Sequence, residues 1–271
     1  MENVTEVIRT RRSVRTYDGR PLPRETAEAL EAFAAGARNP WGVPVEIRLL
    51  GAETPGLESP VVTGAPAWAA AKVPAGPHAE TAFGFSFEAF VLYAWSLGVG
   101  TVWLGGTLNR PAFARAMALG EAERMPCVTP LGYPAKKMSL RETLMRKATK
   151  ADTRRPFEEL FFDGDFGTPL TPEAAGPLAP LLEAVRRAPS AVNKQPWRVL
   201  RKDGACFFFK KGEKGFTGAE IGDLQRIDLG IALCHFALAA EAAGLPFRLT
   251  EEVPDPAAPE GLEFVAACRT A

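Results

Sequence analysis

Groups able to do acid–base or nucleophilic work are few and scattered in this 271-residue chain. It carries two histidines, His78 and His235. His235 sits inside a long apolar run, where an imidazole reads as a satisfied core group before it reads as a catalyst. A zinc centre needs several closely spaced His or Cys ligands. The four cysteines, Cys127, Cys206, Cys234 and Cys268, lie far apart and form no CxxC pair, so no metal site is expected. Neither histidine lies beside a GxSxG nucleophile elbow. Gly98-Val99-Gly100 starts like a dinucleotide fingerprint. Its sixth position is Trp103, and the glycines follow a helical run in place of opening one, so a Rossmann site is rejected. No Walker-type phosphate loop is present. No side chain is named as catalytic.

Fixed positive charge is better organised. Arg11, Arg12 and Arg15 bracket Ser13, and Lys136 to Arg155 holds eight basic residues against two acidic ones. For Arg146 to Arg155 the preferred reading is a solvated helix and linker. The chain as a whole balances 32 basic against 32 acidic residues, which argues against a dedicated nucleic-acid or membrane-surface protein. Hydrophobic content of 46% and charged content of 24% are ordinary for a soluble globular protein. Met1 to Arg15 is mixed and basic, unlike a signal peptide. The most apolar long run, Ile227 to Leu245, is interrupted by Asp228, His235 and Glu241, so no membrane span is expected. Cysteines placed singly in apolar segments fit buried, reduced thiols of a cytoplasmic protein.

The elements that must position these groups occur twice. Leu30-Glu31-Ala32 returns as Leu182-Glu183-Ala184, an offset of 152 that also puts Pro44 on Pro196 and the strand-like Val45–Leu50 on Trp197–Lys202. Phe83 to Trp103 matches Leu229 to Leu249 at an offset of 146, pairing Gly84 with Gly230, Phe90 with Phe236, Leu92 with Leu238, Ala94 with Ala240 and Gly98 with Gly244. Pro21-Leu22 resembles Pro169-Leu170, each followed by a helix-opening Glu25 or Glu173. Shared order with so small a drift indicates duplication. Both long segments are apolar on nearly every helical face, as helices buried on all sides must be. Gly98 and Gly244 are placed to end them. Strand-like runs are Thr101–Leu104, Cys127–Leu131, Cys206–Lys210, Phe247–Thr250 and Phe264–Cys268. The expected architecture is an α+β unit made twice, residues 1–150 and 151–271, with the two long helices pressed together at the centre.

Four segments resemble nitroreductases. Arg11-Arg12-Ser13-Val14-Arg15-Thr16-Tyr17 is similar to that family's opening motif. Ala188-Pro189-Ser190-Ala191-Val192-Asn193-Lys194-Gln195-Pro196-Trp197 is similar to its PSSxNxQPW segment. The runs from Gly98 to Gly106 and from Leu131 to Ala135 resemble its GLGTxWxGG and LGYPA stretches. The resemblance covers nearly the whole chain and points to a branch of nitroreductase-like FMN flavoproteins in which two fold units are fused. It implies the nitroreductase fold, an α/β/α three-layer sandwich, duplicated as a single-chain pseudo-dimer. In ordinary members two subunits share each FMN, one supplying the RxSxR, GG and GYP elements and the other PSxxN. Here the first repeat keeps the former set, with Ala37-Arg38-Asn39-Pro40-Trp41 at its own PSxxN position. The second repeat keeps the latter, with Arg154-Arg155-Pro156-Phe157 at its own opening position. Complementary loss leaves the parts of one flavin site.

The resemblance implies roles for particular residues. Arg11, Arg12, Ser13 and Arg15 suit the phosphate, with Lys136, Lys137 and Arg141 completing its pocket. Gly105 and Gly106 let the backbone approach the ring. Pro189, Ser190, Ala191, Asn193 and Gln195 belong to the segment that hydrogen-bonds the pyrimidine edge or ribityl chain. The expected activity is electron transfer from NADH or NADPH through FMN to a nitroaromatic, quinone or similar small acceptor, with the flavin carrying the redox chemistry. The alternative is a flavin binder without turnover. One FMN per chain and a monomer are expected.

Overall fold

Two helices with no polar face can only be stable when buried from every direction. In the computed structural model of the chain, which describes residues 3–51, 53–250, 252–253 and 258–270, they lie against each other at the centre. The first half runs α1 (Val4–Thr10), α2 (Arg24–Gly36), β1 (Glu46–Gly51), β2 (Ala67–Pro74), α3 (Ala79–Ser96), α4 (Arg110–Ala116), β3 (Glu123–Arg124), β4 (Val128–Leu131) and α5 (Leu140–Ala148). The second runs β5 (Phe161–Asp163), β6 (Asp165–Pro169), α6 (Pro172–Ala175), α7 (Ala179–Arg187), β7 (Trp197–Lys202), β8 (Ala205–Lys211), β9 (Thr217–Gly218), β10 (Gly222–Asp223), α8 (Leu224–Ala242), β11 (Arg248–Thr250) and β12 (Leu262–Arg269). The fold is α+β.

The central pair, α3 and α8, meets backbone to backbone. A Cβ at Gly84 would stand 2.1 Å from the Ile227 carbonyl oxygen, and one at Gly230 would stand 2.0 Å from that of Thr81. The two contacts are reciprocal, since Gly84 and Thr81 are the offset-146 counterparts of Gly230 and Ile227. Only glycine permits this approach. Phe83, Phe87 and Phe90 on α3 and Phe236 on α8 are fully buried around it. Each such side chain contributes roughly 1.5–3 kcal/mol of burial. Asp223 caps α8 by accepting from the Gln225 and Arg226 amides at 2.9 and 3.1 Å. Gly98 and Gly244, at φ of 76° and 69°, turn the chain off each helix as expected.

Each half builds a sheet on this pair. In the first, β2 lies antiparallel to β1, β3 and β4. In the second the order is β11-β12-β8-β7-β5-β6, antiparallel except between β5 and β7. The three-strand unit β1-β2-β4 thus recurs as β7-β8-β12. Alternate residues face opposite ways. Ala69, Ala71 and Val73 of β2 point to the α3 side, while Trp68 and Ala70 pack with Phe113 and Met117 around α4 on the outer face. The first sheet therefore has the α/β/α layering. The second has α7 and α8 on its inner face only. Its outer face carries an aromatic cluster of Phe162, Phe166, Phe207, Phe209 and Phe264, with no helix over it among the described residues. The run Thr101–Leu104, read as a strand, makes only isolated bridges to Ser13 and Val128.

Candidate functional site

The Arg11–Arg15 segment is held extended by contacts that only its neighbours' small residues allow. The Val14 amide donates to the Thr101 carbonyl at 2.9 Å, and the Thr63 amide donates to the Arg15 carbonyl at 2.9 Å. The Tyr17 hydroxyl, buried, donates to the Val14 carbonyl at 2.7 Å. A Cβ at Gly132 would come within 2.6 Å of Pro66 and 2.9 Å of the Tyr17 ring, and one at Gly100 within 3.0 Å of Val14. The two glycine motifs thus act first as clearance for the arginine segment.

From the second half, the Pro189–Asn193 loop reaches the same place. Its backbone is strained: Val192, Asn193 and Gln195 sit at φ of 42°, 58° and 52°, left-handed values that a β-branched valine adopts at a cost. Three ties hold it. The Asp228 carboxyl oxygens, from α8, accept from the Ala191 amide at 3.0 and 3.2 Å. The Ser190 hydroxyl accepts from the Gln195 amide at 2.9 Å. The Asn193 side-chain amide donates to the Lys150 and Thr153 carbonyls at 2.7 and 3.1 Å, and the Gln195 side-chain oxygen accepts from the Arg155 amide at 2.9 Å. The segment joining the halves is thereby strapped to the loop.

Between these parts lies a cavity of about 390 Å3, inside the ~300–1,000 Å3 range common for small-molecule sites. Arg11, Ser13, Arg15, Gly105 and Gly106 line it from the first half, and Arg154 with Pro189 to Asn193 from the second. Apolar walls come from Val102, Trp103, Leu104, Leu224, Ile227 and Ile231. A smaller basic annex of about 170 Å3 shares Arg11, Ser13, Ala151 and Arg154 with it and adds Arg9, Arg12, Arg146 and Arg187.

Charge in this region is unbalanced. Arg11 Nη1, Arg15 Nε and Arg154 Nε are shut off from solvent without a hydrogen-bond partner. Burial lowers the Arg11 pKa, with Glu88 opposing and Arg146 adding to the effect. Burial also lowers Arg15, against the attraction of Glu142. Arg154 is brought down to about 10, by burial first and then by repulsion from Arg11, Arg186 and Arg187. All three remain cationic at neutral pH. Orphaned guanidinium nitrogens from three arginines around one cavity suit a dianion such as phosphate, which would satisfy several donors at once. Beneath the cavity, Trp103 Nε1 donates to Glu88 at 2.8 Å, and Glu88 meets His235 Nε2 at 2.9 Å. His235 Nδ1 donates to the Ala184 carbonyl at 2.9 Å, so both ring nitrogens are committed within a fully buried network.

The structure brings Arg11, Ser13, Arg15, Gly105, Gly106, Pro189, Ser190, Ala191 and Asn193 onto one cavity. Arg12 lines the annex and pairs with Glu142 at 3.9 Å. Lys136 and Lys137 are exposed and line neither space, so they do not complete a phosphate pocket here. Arg141 is exposed too, its guanidinium donating to the Pro60 carbonyl. Gln195 is buried as a strap. Asn193 lines the cavity with its amide already spent on Lys150 and Thr153. Sequence reasoning missed Arg146 and Arg154, both inside the segment read as solvated linker. Arg146 donates to the Ser13 carbonyl at 3.3 Å and pairs with Asp152. It also missed Asp228, whose signal was an acid in the first turns of an apolar helix. No group of His, Cys, Asp or Glu is arranged to hold a metal among the described residues, and no helix is long and apolar enough to cross a membrane.

A family model described as "Putative TM nitroreductase" matches residues 3–240. The chain belongs to this family. Among solved structures, a "putative nitroreductase" of Thermotoga maritima resembles this nitroreductase-family chain with a TM-score of 0.65 at 20% identity, covering 99% of this chain and 94% of that one. A structure described as an oxidoreductase containing FMN matches with a TM-score of 0.50 at 15% identity, over 61% of this chain and 93% of that one. At such identities these likenesses show the fold alone. No curated protein matches the sequence. As a nitroreductase-family member the protein is an oxidoreductase of nitroreductase fold.

Proposed function

We propose that this chain is an FMN-dependent oxidoreductase that takes electrons from NADH or NADPH and delivers them to a nitroaromatic, quinone or similar small acceptor. The observation that carries the reading is the single cavity where Arg11, Arg15 and Arg154, each with a guanidinium nitrogen left without a partner, meet the Pro189–Asn193 loop. When bound, FMN supplies reversible two-electron chemistry. The arginines hold its phosphate, the basic annex lying beside Arg11 and Ser13. The apolar walls take a flat ring and exclude water. A Cβ at Gly106 would meet nothing within 4 Å, so its backbone is open to an incoming ligand.

Residues 1–150 and 151–271 are two repeats packed as family subunits pack, and they form one flavin site. Where the repeat offset puts the counterpart of the cavity, Phe85 replaces Ile231 and packs on Trp41 and Phe247, with ring centroids 6.0 and 6.4 Å apart. Among the described residues, Arg38 is the only basic one lining that groove, and its guanidinium is spent on the Ala35 and Ala37 carbonyls. A flavin phosphate has nothing to bind there. All four cysteines are buried, unpaired thiols, which suits a reducing compartment such as the cytoplasm. The test is a visible spectrum of purified protein with FMN, followed by anaerobic NADH or NADPH. A bound flavin spectrum that bleaches and returns with a quinone is expected. Bound flavin that neither nucleotide bleaches would instead mark a binder without turnover.

A further inference from the structure

The cavity wall carries one carboxyl group among the described residues, Asp228 of α8. It sits on the helix face formed by Leu224, Ile227 and Ile231, and it is 3% exposed. Its offset-146 counterpart on α3 is Ala82, itself fully buried. At this position an acid stands only in the half whose helix faces the retained cavity, while the buried acid of α3, Glu88, is bound to Trp103 and His235. No cation pairs with it, and its one hydrogen bond comes from the Ala191 amide. The titratable groups acting on it most closely are Cys127 and Asp223, and Arg11, Arg15 and Arg154 of the same cavity and Arg110 beside Cys127 form no ion pair with it. A buried carboxyl without a counter-ion keeps its proton, and burial accordingly raises this one well above the usual carboxylate range. With Ala191 acting as donor, the carboxyl O–H is left free for whatever occupies the cavity.

We infer that Asp228 is the proton donor to the electron acceptor bound in this cavity. The inference rests on the flavin-oxidoreductase reading above. A quinone becomes a hydroquinone by gaining two electrons and two protons. With reduced flavin as reductant, a hydride equivalent brings both electrons and one proton. The second proton comes from Asp228: its O–H bond breaks and a new O–H bond forms on the acceptor oxygen. The carboxylate left behind recovers a proton from solvent when product leaves. A nitro oxygen would draw on the same donor.

The test compares wild type with Asp228→Asn, whose amide oxygen still accepts from Ala191. Two measurements are made. In flavin-free protein at neutral pH, the wild-type minus variant infrared spectrum should show a protonated-carboxyl band. In FMN-loaded protein reduced by dithionite, reoxidation by benzoquinone should slow about 100-fold or more in the variant, the usual scale of a lost general acid, while FMN affinity stays within about threefold. Equal reoxidation rates, or a carboxylate band in place of the protonated one, would overturn the role of Asp228 and leave the flavin reading intact. Failure of both proteins to bind FMN would overturn the reading beneath it.

Discussion

At the residue scale, the account turns on charge that has nowhere to go. Arg15 and Arg154 each bury a guanidinium nitrogen without a partner, so each should gain most when an anion arrives. Arg15→Ala and Arg154→Ala should each weaken FMN binding tenfold or more, since a charge-assisted contact is worth on the order of 1.5–3 kcal/mol. Fluorescence titration of flavin-free variants measures this, and wild-type affinity in both would reduce the cluster to a basic surface. Asp228 makes a separate prediction about stability. Its folded pKa lies above its unfolded value, so the folded chain retains a proton that the unfolded chain releases as pH rises. Its contribution is therefore complete below about pH 4, the ordinary carboxylate value, and declines above it. Asp228→Asn should melt higher than wild type at pH 7, with the gain shrinking toward pH 4. A gain independent of pH would contradict a neutral Asp228. The Arg11–Arg15 and Pro189–Trp197 segments were legible in the sequence because their residue types match a known pattern. Arg154 was not, because a basic residue in a charged stretch looks solvated until the Pro189–Asn193 loop is seen folded over it.

At the element scale, the close approach of α3 to α8 is the feature on which both halves depend. Gly84→Ala and Gly230→Ala each place a methyl group within van der Waals distance of a backbone carbonyl that cannot move alone. Each should destabilise by about 3 kcal/mol or more, the upper end for overpacking. Gly98→Ala, which meets nothing but demands positive φ, should cost only about 1–2 kcal/mol. Urea denaturation of the three variants checks the order, and equal effects would deny the helix contact its special role. The pairing of the two helices could be read from the sequence because Gly84 and Gly230 fall at one offset. The strand β2 could not. Its Ala69-Ala70-Ala71 core looks helical by propensity, yet alanine is what fits a central strand covered on both faces. Nor could the missing outer helix of the second sheet be foreseen, since Phe207 and Phe209 alternate with Cys206 and Phe208 as in any buried strand.

At the scale of the whole molecule, the proposed pseudo-dimer would supply its own partner. The apolar helices that would otherwise require a second subunit are buried within one chain. Multi-angle light scattering at micromolar concentration should give the monomer mass, and a stable dimer would count against this. The complementary wear of the two repeats has a sharper consequence. One half keeps the arginine segment, the other keeps the Pro189–Asn193 loop, and aromatic rings fill the counterpart position. Calorimetric titration of flavin-free protein with FMN tests this most directly. Saturation at one FMN per chain is expected, lost or weakened at least tenfold in Arg15→Ala. Two FMN per chain, or none at saturating concentration, would contradict it.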